Sequence, residues 1–73
     1  MIRPIYVDLP TVASILSLSV TSVQKLVREE LFPKPRVVST RRVAWLVREV
    51  EEWAEARPVS DLLPPPNTSR RKQ

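Results

Sequence analysis

The segment Ile15–Leu26, ILSLSVTSVQKL, sets two helix-forming runs on either side of a short polar break that contains no glycine. A chain that turns sharply usually uses glycine for the positive backbone angle, so the break must be either a kink in one helix or a junction between two. Leu9, Val12, Ala13 and Leu16 fall at i, i+3, i+4 and i+7, and Val23, Leu26, Val27 and Leu31 form a second apolar stripe at i, i+3, i+4 and i+8. Stepping ~100° per residue from Leu9 puts Leu16 near ~340° and Val23 near ~320°, so periodicity permits either solution. The residues of the break favour two helices. Ser17, Ser19, Thr21 and Ser22 are weak helix formers whose side chains compete for the backbone, and a chain of 73 residues offers few partners to one long helix. A helix-turn-helix follows, with Leu18 pointing into the angle between the helices.

The flanking residues supply the boundaries. Asp8 suits the N-cap of the first helix, with Pro10 in the opening turn where a missing N–H costs nothing, and the helix is predicted to end near Ser17. Ser19 is the N-cap candidate of the second helix, able to accept from the N–H of Thr21 or Ser22. The two prolines of FPKPR, Phe32–Arg36, end that helix and enforce an extended path. RVVSTRRVAW then predicts two short strands around Ser39, Thr40 and Arg41. Alternation puts Val43 and Trp45 on one face and Arg42 and Ala44 on the other, with Val38 as the inward residue of the first strand. Two strands are not stable alone, so the hairpin is expected to lean on the helices.

Val47 to Arg57 predicts a third helix with Val50, Trp53 and Ala54 inward, Glu49, Glu51, Glu52 and Glu55 largely outward, and Pro58 as its stop. Residues 58–73, Pro-rich and ending in Arg70, Arg71 and Lys72, read as a disordered basic tail, which leaves 1–57 as one domain. The fold class is mainly α with a small β-hairpin, a winged helix-turn-helix of three helices plus a two-stranded wing.

Composition narrows the chemistry. The chain has no cysteine and no histidine, which excludes disulfides, thiolate or imidazole metal sites, and the usual Ser-His or Cys-His nucleophile pairs. Half of its eight carboxylates lie on one predicted helix instead of converging on a pocket, so no enzyme, cofactor or metal is expected. No apolar run approaches the ~18 residues of a spanning helix, and MIRPIYVD lacks the apolar core of a signal peptide. A cytoplasmic protein with no membrane partner is the expectation. The net charge of +4 is unevenly placed: between Val20 and Trp45, Lys25, Arg28, Lys34, Arg36, Arg41 and Arg42 face only Glu29 and Glu30, whereas Leu46 to Arg57 is acidic. One basic segment is what a surface facing a polyanion requires.

Double-stranded DNA is the polyanion that suits this order of elements. The second helix of a helix-turn-helix fits the major groove, where its first turn reaches base edges. Its outward positions here are Val20, Thr21, Ser22, Gln24, Lys25 and Arg28. Gln24 is the best base reader, because its amide can pair with adenine N6 and N7. Thr21 or Ser22 can bond a base or a phosphate, Val20 offers an apolar contact, and Lys25 and Arg28 suit phosphates, which position without specifying. Arg36, Thr40, Arg41 and Arg42, on or beside the hairpin turn, form a basic wing for flanking phosphates or the minor groove. Trp45 and Trp53 lie on apolar faces, as core anchors and not as stacking platforms for single strands.

In the order of these elements the chain resembles the AlpA-type prophage regulators and the related small excisionases, which share a compact MerR-like winged helix-turn-helix. The resemblance runs from about Val7 to Arg57. It rests on LPTVASIL, the turn LSVTSVQKL, the FPKP segment Phe32–Pro35, the wing RRVAW, and Glu49, Val50 and Trp53. It implies a DNA-binding transcriptional regulator of phage or prophage type, or an excisionase that bends attachment-site DNA to set the direction of recombination. Integrase or RNA polymerase would be the protein partners, and a homodimer or cooperative assembly on DNA would supply affinity that so small a domain lacks. Ser17 and Ser39 stand where the family has its turn and wing glycines, and Val20 and Gln24 where it often has a basic residue and an aromatic. The family's base contacts therefore do not carry over at Val20 and Gln24, while its basic wing position matches Arg41. From another class, the acidic third helix or the Pro-rich tail could recruit a protein as an interaction module.

Overall fold

The structure, a computed structural model, describes residues 3–62. The order of elements is β1 (Tyr6–Val7), α1 (Leu9–Leu16), α2 (Val20–Arg28), β2 (Arg36–Ser39), β3 (Arg42–Leu46) and α3 (Val47–Glu55). The two helices expected across Ile15–Leu26 are present. Asp8 caps α1 by accepting from the Thr11 N–H at 3.1 Å, and Ser19 caps α2 by accepting from the Ser22 N–H at 3.0 Å.

The junction that lacks glycine is made by Ser17, which adopts the left-handed conformation at φ 60°. The Leu18 N–H returns to the Ala13 carbonyl at 2.9 Å and the Ser17 N–H to that of Ser14 at 3.2 Å, the paired bonds of a Schellman ending. The end of α2 repeats the device. Glu30 takes φ 61°, the Leu31 N–H reaches the Leu26 carbonyl at 2.8 Å, and the Glu30 N–H reaches that of Val27 at 3.0 Å. This early ending corrects the second stripe: Leu31 lies beyond the helix and is exposed, so the stripe closes at Val27.

The sheet has three strands in the order β1-β3-β2, all antiparallel, one more than the hairpin read from the sequence. Strand β1 is only two residues long, too short for alternation to show. It pairs Tyr6 with Leu46 and Val7 with Trp45, and the Ile5 carbonyl accepts the Val47 N–H at 2.9 Å. That bond occupies one of the free N–H groups that open α3, whose N-cap Leu46 has no capping side chain.

Val12, Ala13, Val23, Phe32, Trp45 and Val50 form the buried core, and Val7, Leu9, Leu16, Leu18, Leu26, Val27 and Trp53 pack around it. The tryptophans also hold the 31–33 link. Trp45 donates its indole N–H to the Pro33 carbonyl at 2.7 Å, Trp53 donates to the Leu31 carbonyl at 2.8 Å, and Phe32 meets both rings edge-on.

Three inward assignments need correction. Val43 shares the face of Trp45 but is exposed, because the hairpin extends past the helices that cover Trp45. Val38 is exposed because the ladder passes from Val37↔Val43 to Ser39↔Arg42, leaving Val38 as a bulge residue without a partner. Helix α3 ends at Glu55, not Arg57, and Ala54 is exposed because the 31–33 link covers the Trp53 flank and leaves the other open. Residues 58–62 are irregular; the remainder of the expected tail, with Arg70, Arg71 and Lys72, lies outside the described residues.

Ser17→Gly is expected to stabilise the fold by about 1 kcal/mol, since relief of left-handed strain exceeds the entropy glycine adds to the unfolded chain. Thermal denaturation should show a midpoint raised by roughly 4–8 °C. Trp45→Phe should lose at least about 1–3 kcal/mol in urea titration, because it strands the Pro33 carbonyl.

Candidate nucleic-acid interface

Helix α2 has a buried side built on Val23, with Leu26 and Val27 half-buried beside it. A helical step of ~100° places Thr21, Lys25 and Arg28 nearest the opposite side, with Gln24 and Ser22 on its two flanks. Thr21, Ser22, Gln24, Lys25 and Arg28 are all exposed, and Val20 is the least exposed of the expected reading positions at 36%. The helix therefore presents all six together on one element. Their freedom to bind differs. The Ser22 hydroxyl accepts from the Ser19 hydroxyl at 2.9 Å while the Ser22 N–H donates back, so Ser22 is part of the cap. Gln24 and Arg28 line a cavity of about 280 Å³ with Leu9, Val27, Pro35 and Trp45, between α2 and the base of the hairpin.

The four wing residues occupy distinct places. Thr40 and Arg41 form the two-residue loop between β2 and β3, and both are exposed. Arg41 takes φ 68°. The glycine-like conformation of the wing thus falls on Arg41, whereas Ser39, which stands where the family has its glycine, is the last residue of β2 and pairs with Arg42. Arg42 lies on the other side of the sheet, lining a cavity with Tyr6, Asp8, Thr11, Val38 and Ala44. Arg36 is at the base of the hairpin and grips Glu49 of α3 with both arms, Nε to Oε1 at 3.3 Å and Nη2 to Oε2 at 2.7 Å. That fork ties the first strand of the wing to the third helix.

The ion pairs sort the charge. Among the described residues Arg3, Arg36 and Arg48 are paired with Glu51, Glu49 and Glu52, whereas Lys25, Arg28, Lys34, Arg41 and Arg42 form no ion pair. These unpaired cations belong to α2, the link and the wing; Arg57, also without an ion pair, follows α3, where it donates to the Trp53 carbonyl at 3.1 Å and lies over the Trp53 ring, and three of the four α3 glutamates are already engaged. The hydrogen bonds from Arg36 hold the Glu49 carboxyl below its ordinary 4.5, and the same contacts raise the guanidinium of Arg36. Hydrogen bonding from Thr11, through side chain and backbone, holds Asp8 below its ordinary 3.8, with a smaller pull from Arg42.

Sequence reasoning missed the positive φ at Arg41 and the outward placement of Val38 and Val43. The usable signal was distance: at ~3.3 Å per residue, strand positions beyond Trp45 outrun a core this small.

Among the described residues no helix is long and apolar enough to cross a membrane. A family model described as prophage CP4-57 regulatory protein (AlpA) matches residues 6–58. No curated protein and no solved structure matches the chain.

Because Glu49 has a lowered value in the folded state, its contribution to stability is complete above 4.5 and is lost as pH falls below it toward that lowered value. Glu49→Gln should be less stable than the parent at neutral pH and should lose less on acidification. Melting temperatures across that range check it.

Proposed function

The chain belongs to the AlpA family of prophage regulatory proteins, and from that premise we propose that it is a sequence-specific regulator that binds duplex DNA with α2 in the major groove and the wing on the flanking backbone or minor groove. The observation that carries this reading is the segregation of charge. Lys25, Arg28 and Arg41 have no carboxylate partner among the described residues, and they sit on the two elements such a fold lays against DNA. Cations left unpaired by the protein are available to phosphates, whose binding releases counterions.

In this reading Gln24 and Thr21 read base edges, and Lys25 and Arg28 position the helix on phosphates. Ser22 holds the α2 cap, with its N–H and hydroxyl both engaged by the Ser19 hydroxyl. Arg41 is the leading wing contact, with Thr40 beside it; Arg42 is placed to reach the backbone on the other side of the wing. Arg36 acts on the wing's orientation through Glu49. The expected setting is the cytoplasm of a bacterium that carries the phage or prophage. Two copies, or cooperative assembly along the site, would raise an affinity that one small domain keeps low.

Footprinting on a promoter and an attachment site of the same element tests the regulatory role. Protection confined to the attachment site, with bending, would assign an excisionase instead. In salt titrations, log affinity should fall by roughly 0.9 per log unit of salt for each phosphate neutralised. Arg41→Ala should weaken all duplexes alike and lower that slope by about one, whereas Gln24→Ala should cost about 1–3 kcal/mol on the bound site and little elsewhere. Absence of any duplex binding at low salt would refute the proposal.

A further inference from the structure

The wing carries an apolar pair that neither the core nor the charged contacts use. Val37 and Val43 lie directly opposite each other in the β2–β3 ladder, 78% and 50% exposed. Opposed residues of an antiparallel pair share a face, and Val43 shares that face with Trp45 two positions on. Trp45 in turn lines the cavity whose other wall is Gln24, Val27 and Arg28 of α2. The valines therefore continue, past the edge of the core, the same sheet face that looks toward the recognition helix.

We infer that Val37 and Val43 form an apolar contact with duplex DNA, packing against the deoxyribose walls of the minor groove next to the segment held by α2. This rests on the DNA-binding reading above and deepens it. Deoxyribose C–H groups are the apolar part of a duplex and line its minor groove, so the pair fits sugar where Arg41 fits phosphate. Charge supports this occupant. Arg41 at the tip and Arg28 across the cavity bracket the valines, neither in an ion pair among the described residues. Two carboxylates near the hairpin lie on the other face, where Glu49 binds Arg36 and Asp8 shares a cavity with Arg42 and Ala44, while Glu29 and Glu30 follow Arg28 at the end of α2. A second copy of the chain suits the patch less well, since two valines fall far short of the ~1,000 Å² that a stable protein interface needs.

The test is the double variant Val37→Thr with Val43→Thr, which keeps side-chain volume and strand propensity; circular dichroism and a melting curve verify the fold. Binding to a mixed-sequence duplex should weaken about tenfold. The salt slope should stay unchanged, unlike that of Arg41→Ala, because no phosphate contact is lost. Hydroxyl-radical footprinting, which reads solvent access to deoxyribose, should show protection flanking the α2 footprint with the parent and its loss with the variant. Val59→Thr, at an exposed valine outside the wing, should bind like the parent. Equal affinity and equal sugar protection for the parent and the double variant would overturn the inference while leaving the DNA reading intact. It would also fall if sedimentation showed parent self-association without DNA that the double variant abolishes, since the patch would then be covered by a second copy. A parent that binds no duplex would remove both.

Discussion

Two indole hydrogen bonds hold the parts of this small protein in register. Trp45, from the central strand, and Trp53, from the last helix, donate to the carbonyls of Pro33 and Leu31 on either side of the buried Phe32. The link between helix-turn-helix and wing is thereby fastened to β3 and to α3. A link with prolines at 33 and 35 lacks two backbone donors and cannot enter a sheet ladder in the ordinary way, so its carbonyls need partners from side chains. Each tryptophan supplies that partner and apolar area at once. The angle between α2 and the hairpin, on which any shared DNA surface depends, follows from this clamp.

The second constraint is the absence of glycine from the entire chain. Among the described residues three positions nevertheless take positive φ, and Ser17, Glu30 and Arg41 fill them. Left-handed backbone costs a residue with a Cβ roughly 1–2 kcal/mol, which the Schellman bonds at the first two sites help offset. At Arg41 the residue that bears the strain is also the cation at the tip of the wing. A glycine there would relax the turn and remove the charge, so local stability and DNA affinity pull in opposite directions at one position.

Arginines close in sequence have been given different tasks by their surroundings. Arg36 is spent on Glu49, Arg42 shares the sheet's outer face with Asp8, and Arg41 projects from the loop. Composition treats the three alike. Only the side of the strand on which each falls, together with the carboxylate placed nearby by another element, distinguishes a cation that organises the wing from one that is free to meet a phosphate.

Most of the architecture was legible in the chain. The serines and threonine of the break, the caps Asp8 and Ser19, and the prolines after Phe32 each act on their own neighbours within a few residues, and local chemistry of that kind is carried by sequence. The six outward positions of α2 followed from the same periodicity that buried Val23. What sequence could not carry were relations between distant segments. Strand β1 exists because Tyr6 and Val7 find Leu46 and Trp45. Val43 is exposed because the core ends before the hairpin does, and Arg36 is occupied because α3 turns Glu49 toward it. The sequence by itself determined two capped helices, a proline-bounded hairpin, an acidic last helix and a basic middle. Tertiary structure alone decided which cations stay unpaired, where the wing's strain falls and which valines face outward, because each depends on what another part of the chain places beside it.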